Sequence, residues 1–372
     1  MSEVDDEAVV VERLQGWVRS VHGRLPLYSR LVETALDHRR VHRLLLAAPP
    51  EQRIPVLLLA AVHALVLDHP DSALARHYPN LTEHPAGDDP APAFLEFCAD
   101  HEAELSQLIA TRTVQTNEVG RCALLLPVFG MLEREGVGPL AMVDVGTSAG
   151  LNLGIDRYRY SYVRDGEPVA TIAGDGALGE GRRGDELPGV ELSCSLRGDV
   201  PLPTTMPAIA ARVGLDRTPV DLADPAQVRW LEACVWPEQP ERFHRLRAAT
   251  AVVRALRPDV RAGDAVDDLS ALVSTMAGEG HPVVVNTWVL NYLDAEQRRR
   301  YVAALETLGQ SLGDLSWVYA ESPGAVGPDV PVSDRADLVD ATVLSLVRWR
   351  SGERDVQHLA SAHPHGHWLN WI

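Results

Sequence analysis

The sequence predicts an α/β protein in which an all-helical N-terminal domain precedes a mostly parallel sheet with a closing antiparallel hairpin. Residues 1–138 carry apolar residues at helical spacing almost throughout. From Leu140 onward, short apolar runs alternate with helical segments, which is typical of strand–helix–strand units and a parallel sheet. Near the C-terminus, two apolar segments flank a short turn, and this pattern predicts the hairpin.

The N-terminal domain is expected to consist of helices separated by stretches rich in Pro, Gly and Asp. Apolar residues at helical spacing place these helices at residues 9–21, 25–46, 54–67, 93–109 and 117–135. The third contains the longest apolar run of the chain, but it is shorter than the roughly 20 residues that span a bilayer, and it includes His63. We therefore expect a buried helix and no membrane partner.

The second domain, residues 139–372, is expected to alternate strands and helices. Its strands are predicted at Leu140–Val145, Ala210–Leu215, Val260–Gly263, Pro282–Thr287 and Leu315–Ala320. The hairpin is predicted from Asp340–Trp349 and Val356–Ala362 around a turn at 350–354. Residues 153–209 separate the first two strands and are predicted to form an insertion, to which the sequence assigns no role.

Composition narrows the classes of function. The net charge is −18, and all thirty-four basic residues are arginine, because the chain of 372 residues contains no lysine. The absence of lysine excludes Schiff-base chemistry and the phosphate-loop lysine, and scattered cations in an acidic chain argue against a nucleic-acid partner. The four cysteines are far apart and the N-terminus is acidic, so we expect a reduced, cytoplasmic protein.

The segment Leu140–Asn152 is an apolar strand that runs into a glycine-framed turn, and a helix is expected to follow. As Asp144-x-Gly146-x-x-x-Gly150, the turn resembles a nucleotide-binding turn, in which small residues let backbone amides approach a ligand. As Gly146-x-Ser148-x-Gly150, it matches the nucleophile elbow of an α/β-hydrolase, with Glu321 and His363 or His365 as acid and base. The elbow needs strands before it, and the preceding helices therefore favour the nucleotide hypothesis.

Several segments resemble the class I S-adenosylmethionine-dependent methyltransferases, over most of residues 139–372. The stretch Val143–Gly150 stands where that family has its first glycine motif. Residues 213–216, 262–265 and 283–293 resemble its second, third and fourth strands with the residues that follow them. A narrower resemblance, carried by residues 115–121, 146–158 and 363–366, is to an uncharacterised and largely actinobacterial family. The resemblance implies a Rossmann-like methyltransferase sheet that binds S-adenosylmethionine.

The methyltransferase resemblance also implies roles for individual residues. Asp216 would bind the ribose hydroxyls, and Asp264 would bind the adenine amino group, since carboxylates accept such hydrogen bonds. The remaining residues expected around the cofactor are Asp144, Gly146, Ser148, Gly150, Asn152 and Asn286. Asp216 lies farther from Gly150 than the roughly twenty residues usual for such an acid, so the insertion must loop out, and Glu191 is a rival ribose ligand.

Polar residues outside the strands complete the predicted site. Asn117 and Arg121 are one helical turn apart and could hold the cofactor's carboxylate, with the helical domain as a lid; the alternative is a helix cap with a surface Glu118–Arg121 pair. His365, in a His-Pro-His-Gly-His segment where Pro364 and Gly366 favour a turn, is a candidate base, and no metal site is expected. Glu321 and Tyr292 follow strands at the edge where open sheets bind ligands, and are further catalytic candidates.

These observations predict a methyltransferase that acts on a small molecule, in which in-line displacement is driven mainly by positioning. A base would matter only for a protonated acceptor. Two alternatives stay open: a hydrolase that uses Ser148, and a Rossmann-like protein that binds a ligand without turnover. The oligomeric state and the methyl acceptor are not predicted.

Overall fold

A computed structural model describes residues 3–21, 23–174, 189–326 and 341–372. Residue contacts divide the chain into two compact units. The first contains residues 1–116 and 223–247, and the second contains residues 117–222 and 248–372. Each unit is therefore built from two chain segments.

The first unit is helical in its described residues, and its helices are amphipathic or buried. The helices of the N-terminal segment are α1 (Glu3–Val21), α2 (Pro26–Asp37), α3 (Arg39–His42), α4 (Pro55–Asp68), α5 (Ala91–Asp100) and α6 (Glu102–Thr111). Helix α4 is apolar on all sides and packs against α1 and α6, which explains why its apolar run lies in a protein core. Within the described parts of the chain, every helix is too short or too polar to span a bilayer.

The second unit contains a large mixed sheet, whose strands alternate with further helices. The remaining helices are α7 (Cys122–Arg134), α8 (Pro225–Ala233), α9 (Pro240–Leu256), α10 (Leu269–Met276) and α11 (Ala295–Leu312); α8 and the start of α9 fall in the first unit. The strands are β1 (Leu140–Val145), β2 (Arg159–Arg164), β3 (Glu167–Ala173), β4 (Glu191–Arg197), β5 (Ile209–Asp216), β6 (Asp259–Ala262), β7 (His281–Thr287), β8 (Leu315–Glu321), β9 (Thr342–Arg350), β10 (Glu353–Ala362) and β11 (Trp368–Trp371).

The order of strands across the sheet is β3-β2-β4-β11-β10-β9-β8-β7-β1-β5-β6. Strands β6, β5, β1, β7 and β8 are mutually parallel, whereas β9 and β10 form an antiparallel hairpin beside β8. Within this parallel set, β5 and β6 follow β1 in the chain and lie on one side of it, and the later strands β7 and β8 lie on the other side. The order thus reverses at β1, and the carboxyl ends of β1 and β7 meet at this reversal.

The five predicted strands and the hairpin are confirmed, with bounds that differ by no more than three residues for the described part. The predicted first hairpin strand began at Asp340, which lies outside the described residues. The predicted insertion, residues 153–209, is described except for 175–188: it supplies β2, β3 and β4, which join the sheet through the short strand β11. The antiparallel pair β2–β3 explains the alternating tyrosines of this segment, because Tyr160 and Tyr162 point into the interior.

Two predictions beside the glycine turn were wrong, and two predicted helices are divided: 25–46 into α2, α3 and a 3-10 segment, and 93–109 into α5 and α6. The segment after Gly150 is a 3-10 segment, Leu151–Arg157, and no α-helix follows the glycine turn. Tyrosine hydroxyls from β2 and the residue before it donate to the carbonyls of Leu151 and Ile155, and Gly154 is a weak helix former. The second error concerns Asn117, which precedes a short 3-10 turn and is therefore not one α-helical turn from Arg121.

Candidate functional site

The glycine turn follows β1 at the point where the strand order reverses. Gly146 and Gly150 both have φ of 72°, which a glycine adopts without strain, and Ser148 between them has φ of 50°. The Gly146 amide donates to the carbonyl of Leu215 at 2.8 Å. A β-carbon on Gly146 would overlap the side chain of Val289, so protein packing itself requires glycine here. The turn is held between β5 and the loop after β7.

Asp216, the last residue of β5, holds the glycine turn through its carboxylate. Its Oδ2 accepts a hydrogen bond from the Ser148 amide at 2.8 Å, and its Oδ1 accepts one from the Thr218 amide at 2.9 Å. The side chain is partly exposed, and each carboxylate oxygen has a further lone pair. Asn117 lies on the other side of the turn and donates from Nδ2 to Ser148 Oγ at 2.5 Å. Sequence reasoning expected these three residues at one site, and the structure brings them together.

Asp144 lies beneath the same turn and is fully buried. The Thr147 hydroxyl donates to its carboxylate at 2.7 Å, and Asn152 is a second hydrogen-bonding neighbour. Burial raises the pKa of Asp144 to about 7, although both hydrogen bonds oppose this shift. Asp144 is therefore poised to exchange a proton near neutral pH, but it does so inside the protein.

Glu321, at the end of β8, is also buried and holds the loop after β7. Its Oε1 accepts hydrogen bonds from Asn286 Nδ2 at 2.6 Å and from the Val289 amide at 2.8 Å, and its Oε2 accepts one from the Leu290 amide at 3.1 Å. Asn286 in turn accepts from the Tyr301 hydroxyl and the Trp317 indole. Burial raises the pKa of Glu321 to about 7. These contacts make Glu321 and Asn286 positioning residues for the loop.

Arg121 links three segments at this edge of the sheet. Its Nη1 donates to the carbonyl of Thr287 at 3.1 Å, and its Nε donates to the carbonyl of Pro364 at 2.9 Å. Its guanidinium carbon lies 5.7 Å from the centre of the Trp288 ring, and Trp288 itself has φ of 58°. The buried Arg121 thus fixes the end of β7 and the turn at residues 363–367.

Glu118 and His365 form a carboxylate–imidazole pair that sequence reasoning missed. Glu118 Oε2 lies 3.0 Å from His365 Nδ1, and Glu118 Oε1 accepts the Gly120 amide at 2.9 Å. The Glu118 side chain is only 2% exposed, whereas that of His365 is 30% exposed. Glu118 therefore caps a 3-10 turn and faces an imidazole, rather than forming the surface pair with Arg121 that was one alternative. Gly120 and Gly366 bring the two segments together, because their backbones are in such close contact that neither tolerates a β-carbon.

Three other candidates stand apart from this cluster. Asp264 pairs with Arg217 at 2.8 Å and accepts the Val266 amide, and these contacts lower its pKa, the amide contributing most. Tyr292 is 71% exposed and projects from the loop after β7. Glu191 starts β4, six strands from β1 in the sheet, and this distance removes it as a rival of Asp216.

The histidine-rich turn has the shape that Pro364 and Gly366 predicted. The Gly366 amide donates to the carbonyl of His363, and the rings of His363 and His367 stack with centres 4.4 Å apart. Among the residues that the structure describes, no three His, Cys, Asp or Glu side chains are grouped to hold a metal ion.

Comparison with known proteins gives one result that covers nearly the whole chain. A family described as "Uncharacterized protein conserved in bacteria (DUF2332)" matches residues 14–371. Neither a curated protein nor a solved structure matches the chain.

Proposed function

The chain belongs to the uncharacterised bacterial family DUF2332, and from this premise we propose that it is an S-adenosylmethionine-dependent methyltransferase acting on a small molecule. The observation that carries the proposal is Asp216, a partly exposed acid that ends the strand beside β1 and is fixed by the backbone of the glycine turn. In parallel α/β sheets, ligands bind outside the carboxyl ends of the strands where the strand order reverses. The strands β6-β5-β1-β7-β8 have the 3-2-1-4-5 order of a Rossmann sheet.

The residues around the turn fit the ribose of the cofactor better than its other parts. Each Asp216 oxygen accepts one amide and keeps a lone pair, so the carboxylate can also accept hydrogen bonds from two hydroxyls. The side chain of Val289 fills the space beside the Cα atom of Gly146. The carboxylate of Asp264 already forms an ion pair with Arg217. We therefore assign the ribose to Asp216 and do not assign the adenine to Asp264. When bound, S-adenosylmethionine would supply an activated methyl group.

The Glu118–His365 pair supplies a base on this edge of the sheet. His365 Nδ1 faces the Glu118 carboxylate, so Nε2 is the ring nitrogen that would take a proton from a hydroxyl, thiol or ammonium acceptor. Glu321 and Tyr292 are not needed as bases, because Glu321 is buried against the loop and Tyr292 lies outside the cluster.

Calorimetric titration of the whole protein with S-adenosylmethionine tests the proposal. We expect measurable binding by the wild type and a loss of at least about tenfold in affinity for Asp216→Ala, since a hydrogen bond to a charged group contributes about 1.5–3 kcal/mol. Asp259→Ala, at the start of the neighbouring strand β6, is the matched control, because this exposed acid pairs with Arg261. Absence of heat with a folded wild type would contradict the proposal. Binding without turnover of any acceptor would favour a non-catalytic binding protein.

A second candidate, hydrolysis by Ser148, is favoured by one observation. Ser148 adopts a left-handed φ of 50° in a turn that follows a central strand, which is the backbone strain of a nucleophile elbow. A hydrolase would cleave an activated ester such as p-nitrophenyl acetate, and Ser148→Ala would abolish the cleavage. Methyl transfer predicts instead that Ser148→Ala leaves any such background rate unchanged.

A further inference from the structure

A cleft lies at the opposite end of the strands from the glycine turn. Its volume is about 620 Å³, which falls within the range of small-molecule sites. Residues from the end of α7, the start of β7, the segment before β8 and the end of β9 line this cleft. It shares no lining residue with the site described above.

The floor of this cleft contains a buried arginine, Arg348. Its side chain is 3% exposed, and its Nη1 donates to Ser316 Oγ at 2.6 Å and to His281 Nε2 at 2.7 Å. Burial, and then the neighbouring charge of Arg348, lower the pKa of His281 to about 4, so the imidazole is neutral and accepts the hydrogen bond. The two side chains that accept hydrogen bonds from the Nη1 atom of Arg348 are thus both neutral.

The other side of Arg348 is not fully satisfied. Its Nε forms an ion pair with Glu135 Oε2 at 3.5 Å, a distance too long for a hydrogen bond, so this N–H has no hydrogen-bond partner. That oxygen instead accepts a hydrogen bond from Arg350 at 2.7 Å. A buried guanidinium with an unmet donor is costly unless an anion completes it. This arrangement leaves room for a carboxylate beside Arg348 and Arg350.

The charges and apolar groups around the cleft restrict the ligand further. Two arginines face two acids, Glu135 and Asp314, so the lining is neutral and disfavours a phosphate dianion. Asp314, exposed at the rim, makes no hydrogen bond or ion pair with any residue that the structure describes. Val137, Pro282 and Leu312 provide an apolar wall. We propose that this cleft binds a free amino acid with an apolar side chain, whose carboxylate meets Arg348 and Arg350 and whose ammonium meets Asp314.

Titration of the whole protein with L-norleucine and with hexanoate tests the inference, because the two molecules differ only by the ammonium group. We expect saturable binding of norleucine by ligand-observed NMR, and at least tenfold weaker binding of hexanoate and of inorganic phosphate. Equal binding of norleucine and hexanoate would overturn the inference, and so would the absence of norleucine binding.

Surface variants locate the binding without disturbing the buried arginine. Arg350→Gln and Asp314→Asn should each weaken norleucine binding about tenfold, because each removes one charged contact. Arg354→Gln is the matched control, since this arginine lies on the same hairpin and pairs with Glu306 outside the cleft. Norleucine binding that survives both cleft variants would place it elsewhere. The inference does not rest on methyl transfer, so absence of S-adenosylmethionine binding leaves it intact.

Discussion

Asp144 and Glu321 are buried carboxyl groups at one edge of the sheet, and their pKa values make the stability of the protein depend on pH. Burial raises the pKa of each to about 7, from ordinary values of 3.8 and 4.5. Above the ordinary value, the unfolded chain releases a proton that the folded protein retains. Each group therefore contributes most to the free energy of unfolding below about pH 4, and that contribution is lost as the pH rises to 7.

The first prediction concerns Asp144→Asn, which keeps the shape of the side chain and removes its titration. The free energy of unfolding of the variant, relative to the wild type, should increase between pH 4 and 7 by up to about 1.4 kcal/mol per pH unit. Urea unfolding at several pH values measures this difference. His281→Gln provides a control of opposite sign, because the pKa of His281 is lowered to about 4 and its contribution is lost as the pH falls. A constant difference between pH 4 and 7 would contradict the assignment.

The second prediction separates the two reasons why position 146 requires glycine, which are the positive φ and the overlap of a β-carbon with Val289. In Gly136→Ala the new β-carbon meets no neighbour, and the backbone there has φ of 76°. This substitution should therefore lower the free energy of unfolding only by the cost of a left-handed backbone, about 1–2 kcal/mol. Gly146→Ala has the same backbone cost and also overlaps Val289, so it should cost about 2–4 kcal/mol. Adding Val289→Ala should recover the difference between the two glycine variants, apart from the cavity that the second substitution leaves. Thermal unfolding of the four proteins measures these costs, and equal losses for the two glycine variants would exclude the steric contribution.

At the residue scale, the sequence predicted which residues lie at the site better than it predicted the role of each residue. The acids and glycines after β1 and β5 could be found, because apolar strands that end in polar residues are visible in one sequence. Glu118 and its contact with His365 could not, because the two residues are separated by most of the chain and meet only through a close approach of two glycines. Nor could burial of Glu321 be foreseen, since the loop that covers it has no sequence pattern of its own.

At the element scale, long parallel strands were predictable and short or polar ones were not. Strands β1, β7 and β8 are buried on both faces and are therefore continuous apolar runs. Strand β11 has four residues, too few for a periodic pattern, yet it pairs with β10 on one side and β4 on the other. Among the described residues, the strands of the predicted insertion join the rest of the sheet through this strand.

The third prediction follows from that role of β11. Removal of residues 368–372 should leave β4 and β10 with unpaired edges, so the amides of β2, β3 and β4 should lose protection from hydrogen exchange. The amides of β1, β7 and β8 should keep their protection, because their own partners are unchanged. Removal of Ile372 alone, which is 68% exposed, is the control. Uniform loss of protection would mean that the sheet unfolds as one cooperative unit.

At the scale of the whole molecule, the hydrophobic pattern of the sequence and the residue contacts of the structure divide the chain at different residues. The sequence places the change at about residue 138, where helical periodicity gives way to strands. By contacts, residues 117–138 belong to the second unit, and residues 223–247 belong to the first. Helix α7 makes its contacts within the second unit to β4, to β8 and to the segment after the glycine turn. A sequence pattern reports that a helix is amphipathic or buried, but it does not report what covers the helix.

The fourth prediction tests this division with two fragments, residues 117–372 and 139–372, in each of which a Gly/Ser linker of equal length replaces residues 223–247. The longer fragment should give a cooperative unfolding transition, because it retains α7 and the Arg121 contacts to Thr287 and Pro364. The shorter fragment uncovers the sheet face that α7 packs on and leaves those carbonyls without their donor, so it should be aggregated or show no transition. Circular dichroism and size-exclusion chromatography report both properties. If the shorter fragment folded as stably as the longer one, residues 117–138 would not be part of the sheet unit, and the Glu118–His365 pair would lose its structural basis.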